Sequence, residues 1–102
     1  MPLFVAQHRH PPGACPAAHG AGARLLAHVS AATAARYGVA ILAEAVLDGE
    51  HCLLLVVQAA DRAHVERFLA LLAGGSVQVL PASSAEDAVA RGGCLAASAG
   101  VP

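Results

Sequence analysis

The sequence contains no lysine and few charged residues of either sign. Charged residues occupy 13% of the 102 positions, all six cations are arginine, and the formal net charge is −1 with neutral histidines. Proteins typically carry about 25% charged residues, and nucleic-acid-binding surfaces cluster basic residues on one face. A nucleic-acid partner is therefore not expected.

Long hydrophobic runs and targeting segments are also absent. No apolar run approaches the ~20 residues of a membrane span, and the N-terminal MPLFVA lacks the basic start of a signal peptide. Cys15, Cys52 and Cys94 are an odd number without CxxC spacing, so a disulfide framework is not expected. We expect a cytoplasmic protein with no membrane partner.

Common catalytic motifs are missing as well. The sequence has no nucleophile elbow, phosphate-binding glycine loop, dinucleotide fingerprint or paired carboxylates. Only three aromatic residues occur, so stacking on a flat aromatic ligand would be weak. Hydrophobic residues, in contrast, make up 57% of the chain. This excess predicts a self-associating apolar face.

The densest group of chemically active side chains lies in QHRHPPGACP, residues 7–16. His8 and His10 end an apolar run, and residues i and i+2 of a strand point to the same side. Cys15 follows in the loop after a double proline. Imidazole and thiolate are preferred ligands of transition metals, so this spacing indicates a metal site. The simpler interpretation is a polar strand end beside an exposed thiol.

Hydrophobic periodicity and turn residues predict four strands and three helices in one domain, 1–92, followed by a flexible tail, 93–102. The strands are expected at 3–10, 39–47, 51–58 and 76–80, with Pro81 closing the last. The helices are expected at 21–37, from Asp61 as N-cap to Gly74-Gly75, and from the capping box at 83–86 to about residue 91. In the second of these helices, the apolar residues have the i, i+3, i+4, i+7 spacing of a buried helix face: Val65, Phe68, Leu69 and Leu72.

With right-handed crossovers, this order gives the ferredoxin-like βαββαβ arrangement of the α+β class, with a short C-terminal helix. Its first and third strands are antiparallel neighbours, so the end of the first lies beside the start of the third. This topology brings His51 and Cys52 near His8 and His10. The predicted metal ligands are therefore His8, His10, Cys15 and His51.

A two-residue turn at Asp48-Gly49 would pair Val46 with His51 and Glu44 with Leu53. Glu44 would then lie in an apolar sheet face, where a buried carboxylate needs a partner. It is therefore a candidate metal ligand, acid–base residue or hydrogen-bonding group at a dimer interface. Its face would include Ala40, Leu42, Leu55 and Val57, and the opposite face Ile41, Ala43, Ala45, Leu54 and Val56. Because two helices cover only one apolar face, we expect a homodimer with the sheets packed face to face.

The order of elements, the size and the doubly apolar sheet over residues 3–82 resemble the dimeric α+β barrel superfamily. The chain is similar in particular to small bacterial members of unknown-function families, some of which bind nickel or other transition metals. The resemblance implies a homodimer that binds a metal ion or a small molecule. The superfamily also includes cofactor-free monooxygenases, isomerases, haem-handling enzymes and regulatory domains, so fold alone does not assign a function.

Two functions are compatible with these residues. In the first, His8 and His10 bind divalent nickel, copper or zinc with His51 or Cys15, and Glu44 lies behind them. An open coordination position would make this a metalloenzyme site. In the second, a metal-free barrel enzyme acts on a small apolar substrate, with His8, His10 or Glu44 as acid or base.

Other polar residues have simpler interpretations. Arg9 should be solvated or ion-paired, and Cys52 should be buried as a small hydrophobic residue. His28 and His64 should lie on polar helix faces, and His19 should lie just before the first helix.

Overall fold

A computed structural model describes residues 1–15, 22–72 and 75–94. These residues form a mixed α+β fold with four α-helices and a four-stranded antiparallel sheet, so the predicted class is confirmed. Positions 95–102 of the predicted tail lie outside the described residues. Within the described ranges, no helix is long and apolar enough to cross a bilayer.

The elements follow the predicted order closely. The strands are β1 (Leu3–Arg9), β2 (Val39–Leu47), β3 (Cys52–Ala59) and β4 (Ser76–Ala82). The helices are α1 (Gly22–His28), α2 (Ala31–Arg36), α3 (Arg62–Leu69) and α4 (Ala85–Ala90), and a 3-10 turn spans Pro12–Ala14.

The strand order in the sheet is β2-β3-β1-β4, with every neighbouring pair antiparallel. As predicted, β1 and β3 are neighbours, and their register pairs His8 with Leu53 and Arg9 with Cys52. The end of β1 therefore meets the start of β3. This pairing fixes the position of the candidate site.

The hydrophobic core lies between the helices and one face of the sheet. Alternate residues of β1 and β3 are buried, as the period of two in a strand requires. From the helix side, α3 buries Val65, Phe68 and Leu69, the predicted i, i+3, i+4 stripe. Asp61 caps this helix as predicted, because its carboxylate accepts a hydrogen bond from the His64 N–H at 3.1 Å.

The prediction of one helix over residues 21–37 is wrong, because the chain breaks between α1 and α2. Ser30 has an extended backbone and caps α2, with its hydroxyl accepting from the Thr33 N–H at 3.3 Å. The same hydroxyl donates to the Ala27 carbonyl at 2.8 Å. Alanine favours helix on both sides of this point, but the serine offers the backbone a competing cap.

The ends of three later elements also differ from the prediction. Helix α3 ends at Leu69, before Gly74-Gly75. Strand β4 continues through Pro81, which an edge strand tolerates because its outer side needs no ladder hydrogen bond. The N-cap of α4 is Ser84, one residue after the first serine of the predicted capping box.

The predicted two-residue turn between β2 and β3 is wrong. Leu47 pairs with Cys52, so the loop contains residues 48–51, and Val46 lies opposite Leu53 rather than His51. A β-bulge between Ile41 and Ala43 shifts the register further along the hairpin. Ile41 consequently lies on the same face as Glu44 and Leu55, and Ala40 lies on the opposite face. Strict alternation predicted the reverse for these two residues.

The second face of the sheet is largely apolar, although Gln7, Gln58 and Gln78 also lie on it. It carries Leu3, Val5, Leu54, Val56 and Leu80, which share one side by strand register. None of these five side chains is fully buried, and Leu80 is 40% exposed. The sheet thus presents a second hydrophobic face to the outside of the described chain.

Candidate metal centre

His8 and His10 lie where β1 ends. His8 points into the core from β1 and is 1% exposed, whereas His10 follows the last residue of the strand. The backbone N–H of His10 donates to the His51 carbonyl at 3.1 Å, which extends the β1–β3 ladder by one pair. The ring centroids of His8 and His10 are 5.6 Å apart.

His51 occupies the last position of the β2–β3 loop in an unusual backbone conformation. Its φ is +48°, in the left-handed region that non-glycine residues rarely adopt, although histidine does so more often than most. Conformations of this kind cost about 1–3 kcal/mol and cluster at functional sites. Here the turn directs the His51 ring to a centroid distance of 5.3 Å from His10, at an angle of 75°.

Cys15 lies in the loop after β1, and its sulfur is close to the rings of His10 and His51. Proline fixes φ, and the double proline at Pro11 and Pro12 starts a 3-10 turn that ends with Cys15 as its C-cap. The side chain of Cys15 is half-buried. The ligand atoms of His10, Cys15 and His51 all lie within 4.8 Å of one another.

This geometry is close to that of a metal site. Zinc binds nitrogen at about 2.0–2.1 Å and sulfur at about 2.3 Å, so neighbouring ligands of a tetrahedral ion are roughly 3.4–3.7 Å apart. The distances between these ligand atoms therefore need to shorten by about 1.4 Å at most. Cys15 and His51 lie in loops, where side-chain rotation can supply this movement.

The His10 ring is available to a metal ion. Both ring nitrogens are shielded from solvent, and neither has a hydrogen-bond partner within the described residues. The pKa of His10 is lowered, first by desolvation and then by the neighbouring His8 and His51. A lowered pKa keeps the imidazole neutral, which is the form that binds metals.

His8 lies next to this group but is not part of it. The structure brings together three of the four predicted ligands, and His8 as a ligand stays a prediction. Burial lowers the pKa of His8, and the Leu72 backbone opposes this shift only in part. Among the described residues, neither His8 nitrogen has a partner with hydrogen-bonding geometry.

Glu44 is not buried as predicted, and its acid–base role stays a prediction. It pairs with Leu55 in β2, but it is exposed rather than buried. It also lies outside the His10–Cys15–His51 group. The expectation of a buried carboxylate behind the metal is therefore wrong, because β2 is an edge strand whose outer half is open to solvent.

The simpler interpretations of Arg9, Cys52 and His64 are confirmed, whereas that of His28 is wrong, because its half-buried ring stacks on the buried Phe68 ring at a centroid distance of 4.8 Å. Arg9 is exposed and forms an ion pair with Glu50 at 3.7 Å, and Cys52 is completely buried. The His28 ring nitrogen contacts the Phe68 carbonyl at 2.7 Å, and His64 contacts the Asp61 carboxylate at 2.6 Å. His19 lies outside the described residues.

Sequence reasoning missed the role of Gly75. A Cβ atom at this position would lie 2.7 Å from the His8 Nε2 and would also clash with the Arg9 carbonyl oxygen. Only glycine lets the chain entering β4 pass this close to β1 and the His8 ring. The pair Gly74-Gly75 is the sequence signal for this close approach, although helical periodicity alone predicts it as the end of a helix.

A pocket of about 200 Å³ adjoins the three ligands. His10, Cys15 and His51 form part of its wall, and four aliphatic side chains, Leu25, Val46, Leu47 and Leu53, form much of the remainder. The sequence did not indicate this pocket, because it depends on how close Leu25 of α1 lies to the residues of the β2–β3 hairpin.

Comparisons of this chain with protein-family models, with curated proteins and with solved structures find no match. The assignment of the site therefore depends on its own geometry.

Replacing Gly75 with alanine should destabilise the protein and disturb the site. The added methyl group must displace backbone or the His8 ring, and overpacking of this kind costs about 1–3 kcal/mol. Chemical denaturation would measure the loss. Gly13→Ala is the matched control, because its Cβ meets no described atom within 4 Å. Equal stability of the two variants would contradict the proposed close approach.

The metal-free protein should lose stability as the pH falls below about 6.5, the ordinary pKa of histidine. The folded-state pKa values of His8 and His10 are lowered, so the unfolded chain binds more protons in this range and is stabilised relative to the folded chain. Thermal unfolding in chelator, from pH 8 downward, would measure the trend. His8→Leu should flatten it, and an unchanged slope would show that His8 does not contribute.

Proposed function

We propose that this protein binds a divalent transition metal through His10, Cys15 and His51. The observation that carries the proposal is the convergence of three ligand atoms within 4.8 Å from three separate segments, the end of β1, the following loop and the β2–β3 loop. Two imidazoles and one thiolate are a donor set suited to nickel, copper and zinc.

Three protein ligands leave the fourth position of a tetrahedral ion to water or to another ligand. Sites with this ligand count are typical of catalytic metals, whereas structural zinc sites are closed by four protein ligands. A bound ion would supply a Lewis acid there. His8, next to His10, is either a further ligand or a neutral group that supports His10 from the core.

The metal-free enzyme receives less support from the structure. Its proposed carboxylate, Glu44, is exposed and lies apart from both the histidines and their pocket. The remaining acid–base candidates, His8 and His10, are the same residues that the metal hypothesis uses. A reducing cytoplasm suits a site with a cysteine ligand, and all three cysteines are free.

We further propose a homodimer of the dimeric α+β barrel type. Support comes from the strand order β2-β3-β1-β4, which is the order of a ferredoxin-like sheet, and from the apolar second face. Leu3, Val5, Leu54, Val56 and Leu80 would pack against the same residues of a second copy. Burying such a face removes apolar surface from water at about 25 cal/mol per Å².

Removing any of the three ligands should weaken metal binding. His10→Ala, Cys15→Ser and His51→Asn should each lower the affinity by more than the 10–100-fold that loss of an outer-shell partner typically costs. Asparagine tolerates the left-handed backbone at residue 51. Competition titration with nickel, copper and zinc would measure these affinities.

Cys94→Ser and His64→Asn are matched controls, because both residues lie outside the ligand group. They should bind metal as the wild type does. If tag-free wild-type protein contains no metal and binds none on titration, or if all three ligand variants keep full affinity, the proposed site is wrong.

The wild-type protein should sediment as a dimer at micromolar concentration. Val56→Arg would place a charge in the middle of the apolar sheet face and should produce monomers, because an unpaired charge is costly to bury. Val89→Arg on α4, at a side chain 79% exposed, is the matched control and should remain dimeric. A monomeric wild type would contradict the dimer.

A further inference from the structure

The pocket beside the ligand group has two chemically different parts. His10, Cys15 and His51 supply the donor atoms, whereas Leu25, Val46, Leu47 and Leu53 supply an aliphatic wall. Val46 belongs to this wall although it is 55% exposed, so an apolar surface is accessible immediately beside the metal ligands. Few polar groups other than the donors and Asp48 face the same space.

The size of the pocket limits what can enter it. Its volume of about 200 Å³ lies below the roughly 300–1,000 Å³ of pockets that hold drug-sized ligands. A molecule of a few heavy atoms fits this space. Its donor atom would reach the ion, and its carbon chain would contact the aliphatic wall.

The net charge of the metal ion and its three protein ligands favours a ligand with one negative charge. A divalent ion with one thiolate and two neutral imidazoles carries a net charge of about +1, which a monoanion neutralises. Asp48 is exposed at the edge of the same pocket. Its negative charge would oppose a second anionic group on the ligand.

Building on the proposed function, we propose that the metal ion in this site binds short-chain aliphatic monocarboxylates. The carboxylate occupies the coordination position that the three protein ligands leave open. The alkyl chain packs against Leu25, Val46 and Leu53. Dicarboxylates are disfavoured by Asp48.

The proposal can be tested on the full-length protein loaded with Co²⁺, whose visible absorption changes with its ligands. Acetate, propanoate, butanoate and succinate would be titrated in turn. Burial of one methylene is worth about 0.8 kcal/mol, so affinity should rise about fourfold for each methylene added to the monocarboxylate. Succinate should bind more weakly than butanoate.

Val46→Asn should keep the cobalt spectrum but lose most of the dependence on chain length, whereas Val89→Asn on α4 should behave as the wild type. Equal affinity for acetate and butanoate in the wild type would overturn this inference and leave the metal site intact. Butanoate binding that is equally tight without cobalt would also overturn it. Failure of the protein to bind cobalt would instead overturn the proposed function itself.

Discussion

The antiparallel pairing of β1 with β3 is the interaction on which the candidate site depends. Its last hydrogen bond, from the His10 N–H to the His51 carbonyl at 3.1 Å, joins residues that are distant in sequence. Because the ladder continues to this point, the two imidazoles are held side by side by backbone geometry rather than by flexible side-chain contacts. The double proline then directs the chain so that Cys15 completes the group.

Several features of this region cost folding free energy. His51 adopts a left-handed backbone, and the nitrogens of His8 and His10 are buried without partners in the described parts of the chain. A buried polar group without a hydrogen bond costs about 1–3 kcal/mol. A metal ion bound to His10 and His51 would offset part of this cost, because it replaces missing hydrogen bonds with coordinate bonds. The left-handed backbone of His51 and the unpaired nitrogens of His8 and His10 are thus consistent with a metal site at this position.

The sequence was sufficient to predict the parts of the structure that depend on local pattern. The apolar runs of β1 and β3, the Asp61 cap and the spacing of Val65, Phe68 and Leu69 all predict their elements. The order of elements then predicts that His51 lies near His8 and His10. Strand neighbours follow from chain order and crossover handedness, so this long-range contact was accessible to sequence reasoning.

Features that depend on the competition between local sequence preference and tertiary packing cannot be predicted in the same way. The break at Ser30 depends on a cap competing with an alanine-rich helix, and the bulge beyond Ile41 changes which residues share a face. Glu44 was assigned to the interior because its neighbours in sequence are apolar, yet an edge strand leaves it exposed. The close contact of Gly75 with His8 likewise arises from the path of the chain into β4.

The most direct test of the central claim is X-ray absorption spectroscopy of the zinc-loaded protein. The proposed site requires one sulfur ligand at about 2.3 Å and at least two imidazole nitrogens at about 2.0–2.1 Å. The sulfur signal should disappear in Cys15→Ser and persist in Cys94→Ser. A zinc environment without sulfur, or one unchanged by Cys15→Ser, would contradict the assignment of His10, Cys15 and His51 as the metal site.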